Sequence, residues 1–181
     1  AVTDPGGGID RRAVRARFER AAATYAGASR LEAEIGARML ERLDYVKIAP
    51  RRILDAGSGP PRPALGRRYR TAQVVALDFS LAILRAGRRR FGFFGNRPAK
   101  PLCGDLGRLP LAAAVVDLVW SNMALHWAAD PLAVLREFHR VLAVEGLLMF
   151  STLGPDTLAE LRAAAGEARV HRFADMHDLG D

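Results

Sequence analysis

The stretch from residue 51 to residue 63, RRILDAGSGPPRP, constrains the fold more than any other part of this 181-residue chain. A short apolar run ends on Asp55, and glycines follow at positions 57 and 59. Glycine adopts positive φ angles, or lets a bulky ligand approach the backbone, at little cost. The pattern predicts a buried strand, a tight turn and the start of a helix, which is the junction where α/β proteins bind nucleotide-like ligands.

Short apolar runs alternate with helical patterns along the chain. Parallel strands need crossover connections, and the crossover helices cover both faces of the sheet. The sequence therefore predicts an α/β fold, a Rossmann-like, doubly wound and mainly parallel sheet with helices on both faces. The predicted strands are 52–56, 73–77, 100–103, 115–121 and 146–152, and the predicted helices are 11–43, 63–69, 81–89, 131–142 and 155–165.

Residue type predicts three local features of these elements. Gly27 is expected to break or kink the N-terminal helical stretch. Asp130 is expected to cap the helix that begins near Pro131. Leu158 and Leu161 are expected to face inward from the last helix.

The composition excludes several classes of protein. Half of the residues are hydrophobic, which indicates a globular fold. The chain shows neither an uninterrupted apolar run of roughly 18 residues nor an N-terminal h-region, so a cytoplasmic location is the default expectation. The single cysteine, Cys103, excludes a disulfide framework and is expected to be a small core residue. The four histidines show no ligand pattern, so no metal is expected.

Positive charge is concentrated in the middle of the chain. The net charge is +7, and residues 51–100 contain twelve basic residues against two acidic ones. Such a segment favours a nucleic acid, an anionic membrane surface or an acidic protein as partner. Within it, RRRFGFFGNR at 88–97 fits single-strand binding, a loop whose phenylalanines cap the core, or docking of an acidic carrier protein.

Each of the first three predicted strands has an acid at or near its carboxyl end, namely Asp55, Asp78 and Asp105. Because the carboxyl ends of parallel strands meet at one edge, these carboxylates are expected together at the ligand-binding edge. An acid at Asp78 can accept hydrogen bonds from ribose hydroxyls. The turn lacks the third glycine of a dinucleotide site, and Asp55 would repel a pyrophosphate. These residues favour a cationic nucleoside, S-adenosyl-L-methionine, over NAD.

Six further segments stand out along the chain, namely LDAGSGP, ALDFS, CGDLGRLPL, VVDLVWSNMALHW, LREFHRVL and GLLMFSTLGPDTLAELR. In this order they resemble the motifs of class I S-adenosylmethionine-dependent methyltransferases. Together with FERAAATY and HRFADMHDLGD they resemble, more narrowly, the malonyl-[acyl carrier protein] O-methyltransferases of biotin synthesis. The resemblance spans about residues 11–181. A mitochondrial complex I assembly hydroxylase shares the later motifs, so they leave the substrate open.

The resemblance implies a set of cofactor-binding residues. The turn residues and Asn122 would hold the methionine part, Asp78 the ribose, and Tyr25 would close over the site. Phe79, Asp105 and Leu106 would surround the adenine. In chain order, the implied set is Tyr25, Asp55, Gly57, Gly59, Asp78, Phe79, Asp105, Leu106 and Asn122.

The resemblance also implies the chemistry and the partner. A malonyl carboxylate is ionised at neutral pH, so catalysis needs positioning and exclusion of water rather than a general base. Arg172 is expected to hold this carboxylate, because an arginine fork binds carboxylates bidentately. Tyr25 is the second expected catalytic residue, and Trp127 is expected to form an apolar wall. The expected partner is an acidic acyl carrier protein carrying a malonyl group, with no metal, membrane or nucleic acid.

Two departures from the family pattern leave alternatives open. Pro61 stands where that pattern has glycine, and the chain stops at Asp181, before the β-hairpin that closes the sheet in these enzymes. We expect an N-terminal helical lid at residues 1–50 and a truncated cofactor-binding domain at 51–181, its C-terminal hairpin missing. The open alternatives are a methyltransferase acting on another small molecule or RNA, and a non-methylating cofactor-binding assembly protein.

Overall fold

The computed structural model describes residues 11–60, 63–91 and 99–165, without the side chains of residues 11, 26, 87–91 and 165. Three helices precede an alternation of strands and helices. In chain order the elements are α1 (Arg11–Ala21), α2 (Tyr25–Ala28), α3 (Arg30–Arg42), a 3-10 turn (Leu43–Tyr45), β1 (Arg52–Ala56), α4 (Ala64–Arg68), β2 (Gln73–Asp78), α5 (Leu81–Phe91), β3 (Lys100–Cys103), β4 (Val116–Asn122), a 3-10 turn (Leu125–Trp127), α6 (Pro131–Val141), β5 (Leu142–Ser151) and α7 (Ala159–Ala165).

The five described strands form one parallel sheet in the order β3-β2-β1-β4-β5. The predicted α/β fold with a doubly wound sheet is confirmed. The chain leaves the central strand β1 toward β2 and β3, then returns to the other side of β1 for β4 and β5. This reversal creates the topological switch point at which α/β sheets bind ligands.

Helices cover both faces of β1, which explains why that strand is apolar on both sides. Side chains alternate along a strand, so the neighbours Ile53 and Leu54 point to opposite faces. Ile53 belongs to a buried cluster with Leu118 and Met39, the latter from α3. Leu54 belongs to a second cluster with Phe138, from α6.

The local predictions have mixed outcomes. Asp130 caps α6 as predicted, because its Oδ1 accepts a hydrogen bond from the Ala133 amide at 3.0 Å. The prediction for Gly27 is wrong: it lies inside α2, and the helical stretch is interrupted at residues 22–24 and again at Ser29. The prediction for Cys103 is also wrong. It is exposed, because it ends the edge strand β3.

Leu158 and Leu161 do not face inward. They are 47% and 50% exposed. The prediction assumed one continuous helix from residue 155, whereas residues 155–158 form turns and α7 begins only at Ala159. Leu158 has a positive φ of 61°, so helical periodicity does not extend across it.

An ion pair on α6 fastens the loop between β3 and β4. Glu137 accepts hydrogen bonds from Arg140 Nε at 2.6 Å and from the Leu109 amide at 2.7 Å. Arg140 in turn donates to the carbonyls of Leu111 at 2.8 Å and Leu109 at 3.1 Å. The Arg140 guanidinium, helped by the Leu109 amide, holds the pKa of the Glu137 carboxyl below its usual value, although partial burial opposes this.

Replacing Glu137 with glutamine should therefore cost stability in a pH-dependent way. A glutamate whose pKa is lower in the folded than in the unfolded protein stabilises the fold at pH values above its unfolded-state pKa of about 4.3. This stabilisation is lost as the pH falls through the folded-state pKa. We expect Glu137→Gln to lower the free energy of unfolding by about 1–2 kcal/mol at pH 7. The difference should shrink below about pH 4.

Urea unfolding of the wild type and the variant between pH 7 and pH 3.5 measures this difference. Glu41→Gln, a substitution of an exposed acid on α3, is the matched control and should change stability little at either pH. A Glu137→Gln difference that stays constant over this pH range would contradict the ion-pair account.

Candidate functional site

A cavity of about 1020 Å³ lies at the carboxyl ends of β1, β2, β3 and β4, at the switch point of the sheet. Its volume is at the upper end of the range for small-molecule sites, about 300–1,000 Å³. Helices α1, α2 and α3 contribute residues to its walls. Nine of the ten predicted site residues line it, namely Tyr25, Asp55, Gly57, Gly59, Asp78, Phe79, Asp105, Leu106 and Asn122. The tenth, Arg172, lies outside the described residues.

The glycine turn has the backbone conformation that its sequence requires. Gly57 has a φ of 71° and Gly59 a φ of 60°, both in the left-handed region. A Cβ atom on Gly57 would overlap the Cβ of Ala124, which follows β4. A Cβ on Gly59 would meet only Cε1 of Tyr25, at an ordinary 3.5 Å. Gly57 is therefore required for packing as well as for backbone conformation.

Asp78 fixes this turn from the end of β2. Its Oδ2 accepts a hydrogen bond from the Gly59 amide at 3.0 Å, and its Oδ1 accepts one from the Ser80 amide at 2.8 Å. The residue is only 5% exposed, and this burial raises the pKa of the Asp78 carboxyl, while the two amide bonds oppose the rise. Because each carboxylate oxygen can accept more than one bond, both oxygens retain acceptor capacity, and the residue lines the cavity.

The third acid, Asp105, organises the loop after β3. Its Oδ1 accepts a hydrogen bond from the Gly107 amide at 2.8 Å, and its carbonyl accepts one from the Arg108 amide at 3.2 Å. The amide of Gly104 donates to the carbonyl of Asp78 at 3.1 Å, which joins the ends of β2 and β3. Asp55, Asp78 and Asp105 thus lie at one edge of the sheet, as their spacing predicts.

Asn122 links the sheet to α3. Its Nδ2 donates to the carbonyl of Glu32 at 2.7 Å, and its Oδ1 accepts from Ser151 Oγ at 2.9 Å. A Cβ on Gly36 would lie 3.0 Å from the same Nδ2, so α3 approaches Asn122 closely there. The side chain therefore holds a cavity wall together, and its contact with a methionine group stays a prediction.

Aromatic rings from separate segments meet at the cavity. The ring of Phe18, on α1, lies 5.3 Å from those of Phe79 and Trp127 and 5.5 Å from that of Tyr25, centroid to centroid. The contacts with Phe79 and Trp127 are edge-to-face, a favourable arrangement of ring quadrupoles. All four residues line the cavity, Trp127 as predicted.

Phe18 is the site residue that sequence reasoning missed. Its position in the α1 periodicity indicates an inward-facing residue and nothing more specific. The available signal is the segment FERAAATY, in which Phe18 and Tyr25 are seven residues apart, or two turns of the continuous helix predicted over 11–43. In the structure a turn at residues 22–24 separates them. Periodicity alone could not identify Phe79 and Trp127 as the neighbours of Phe18.

The described residues contain no group of three or more histidine, cysteine, aspartate or glutamate side chains arranged to hold a metal ion. Among the helices in that part of the chain, none is long and apolar enough to cross a membrane.

Comparison with known proteins identifies relatives of this chain. A family described as a methyltransferase domain matches residues 54–150. Malonyl-[acyl-carrier protein] O-methyltransferases of Methylovorus sp. and Gallionella capsiferriformans are 53% and 48% identical to it, each over 96% of the chain. The chain spans only 62% and 63% of the length of these relatives.

The fold also matches that of a solved SAM-dependent methyltransferase from Thermotoga maritima. The TM-score is 0.65, and the match covers 91% of this chain and 76% of that one. At 18% sequence identity, this likeness concerns the fold alone.

The two turn glycines should respond differently to alanine. Gly59→Ala introduces a Cβ atom at positive φ, at an ordinary contact distance from Tyr25. We expect it to lower the free energy of unfolding by about 1–2 kcal/mol. Gly57→Ala adds an overlap with Ala124 to the same strain, so we expect a loss of roughly 2–5 kcal/mol. Urea unfolding measures both free energies, and equal losses in the two variants would contradict the described packing of the turn.

Proposed function

The chain belongs to the methyltransferase domain family, and we propose that it transfers a methyl group from S-adenosylmethionine to the free carboxylate of a malonyl group on an acyl carrier protein. The observation that carries the proposal is the convergence of three strand-end carboxylates and a glycine turn on one large cavity. The resemblance implies that this reaction belongs to biotin synthesis. The cytoplasmic location and the division into a lid and a cofactor-binding domain stay predictions.

The cavity lining fits S-adenosylmethionine chemically. Asp55 lies beside the glycine turn, where a carboxylate favours the positive charge of an ammonium or a sulfonium. Asp78 offers acceptor oxygens to ribose hydroxyls. Phe79 and Leu106 provide apolar surface beside Asp105 for an adenine ring. Each of these roles is part of the proposal.

When bound, S-adenosylmethionine supplies an electrophilic methyl carbon on its sulfonium. The acceptor carboxylate is already ionised at neutral pH, so the chain's residues need not remove a proton. Their contribution is to hold the acceptor in place and to exclude water. The rings of Phe18, Tyr25 and Trp127 lie where they could reduce solvent access to the cavity.

The described cavity wall carries charged side chains of both signs, namely arginines, acids at the strand ends, and the further acids Glu32 and Asp130. The acids at the strand ends would repel a carboxylate, so the acceptor group must be held away from them. Arginine side chains reach the same cavity from α1 and from the loop after β3, at Arg12, Arg15 and Arg108. Arg172 remains the predicted carboxylate ligand. The name of the relatives, malonyl-[acyl-carrier protein] O-methyltransferase, supports an acyl carrier protein as partner.

Methyl transfer to a defined carrier protein tests the proposal. We expect the chain to transfer label from methyl-labelled S-adenosylmethionine to malonyl-carrier protein and to form a base-labile ester. Acetyl-carrier protein, which has no free carboxylate, is the matched control and should remain unlabelled. Normal cofactor binding without labelling of malonyl-carrier protein would refute the proposed acceptor and leave the other methyltransferase alternatives open.

A further inference from the structure

We propose that α1 and α5 together form the docking surface for the acidic carrier protein, a proposal that rests on the function proposed above. The surface, here called the basic helix pair, is defined by exposed residues on both helices. Its members are Arg12, Arg15, Arg17 and Arg20 on α1, and Leu81 and Arg85 on α5.

The charge of α1 is strongly one-sided. The helix, RRAVRARFERA, contains five arginines and a single acid, Glu19. Glu19 is occupied by an i,i+4 ion pair with Arg15 at 3.1 Å, and the Arg15 side chain remains 53% exposed. Val14 is buried and Phe18 packs on other rings, so the helix turns its apolar side to the protein and its arginines toward solvent.

The second helix extends this surface without adding an acid. The sequence of α5, LAILRAGRRRF, contains four arginines and no acidic residue. Ile83 and Leu84 are buried, whereas Leu81 and Arg85, one turn apart, are exposed on the same face. An exposed leucine beside an arginine combines apolar contact with positive charge, which suits a protein partner.

The basic helix pair is continuous and borders the cavity. Helix α1 packs against α5, so the exposed arginines described on the two helices belong to neighbouring elements. Arg12, Arg15 and Phe18 recur at three-residue spacing, and all three line the cavity. A carrier protein bound to this surface would therefore present its acyl group beside the proposed methyl-transfer site.

The described side chains favour an acidic protein over nucleic acid. Proteins that bind single strands without sequence preference combine basic grooves with aromatic rings on which bases stack. The aromatic ring of α1, Phe18, instead packs in edge-to-face contact with Phe79 and Trp127. The apolar residue that the described part of α5 exposes is Leu81, which offers no stacking surface.

Charge reversal at two residues outside the cavity wall tests the proposal. Neither Arg17 nor Arg20 lines the cavity, so Arg17→Glu with Arg20→Glu should leave cofactor affinity unchanged. We expect KM for malonyl-carrier protein to rise about tenfold at low salt, with kcat unchanged, and the increase to shrink as salt is added. KM for malonyl-pantetheine, which has no carrier protein, should not change. If charge reversal impairs folding, Arg17→Ala with Arg20→Ala replaces it. This milder pair should shift KM in the same direction.

Arg51→Glu with Arg136→Glu provides a matched control. Both residues are exposed and lie outside α1 and α5, so the net charge changes equally and the docking surface is left intact. Binding of fluorescently labelled carrier protein is measured in parallel, so the test does not depend on turnover. Binding of a labelled single-stranded RNA is measured in the same way. Equal carrier affinity in the two double variants would overturn the docking proposal, as would a loss of RNA binding without a loss of carrier binding in Arg17→Glu with Arg20→Glu. If no methyl group is transferred to malonyl-carrier protein or to malonyl-pantetheine while carrier binding is intact, the result would count against the proposed function and not against the docking surface.

Discussion

The buried carboxylate of Asp78 is the interaction on which the site depends. It accepts one hydrogen bond from the Gly59 amide in the turn after β1 and another from the Ser80 amide after β2. One side chain therefore fixes two neighbouring strand ends. Burial of this charge is costly, and the raised pKa of the Asp78 carboxyl reflects that cost. The amide bonds offset part of it. The same residue thus shapes the turn that S-adenosylmethionine is proposed to contact and lines the cavity beside it.

The N-terminal helices complete a site that the sheet begins. Asn122 joins the end of β4 to α3, and Phe18 joins α1 to the aromatic residues after β2 and β4. Neither Phe18 nor its helix contributes to the two buried clusters described around the sheet. Helix α1 is held instead by ring contacts at the cavity and by packing against α5, so its position depends in part on the cavity. The proposed docking of a carrier protein on the outer side of α1 would couple partner and site through this one helix.

Sequence reasoning succeeded where a local pattern has a single structural solution. The glycines at 57 and 59 indicated a tight turn, and both have positive φ angles. The acids at the strand ends were expected at one edge of the sheet, and they line one cavity there. Asp130 was expected to cap the helix that begins at Pro131, and it does. It failed where tertiary context decides. The exposure of Cys103 follows from β3 being an edge strand, and that of Leu158 from a turn that delays α7. The ring contacts of Phe18 join segments about 60 and 110 residues away, and no periodicity in one segment specifies such neighbours.

Calorimetric titration of the protein with S-adenosylmethionine tests the central claim most directly, namely that the cavity at the strand ends is built for a cationic nucleoside. We expect saturable binding of S-adenosylmethionine at one site per chain, and no comparable binding of NAD, whose pyrophosphate Asp55 would repel. No detectable binding of S-adenosylmethionine by the folded protein, or preferential binding of NAD, would contradict it.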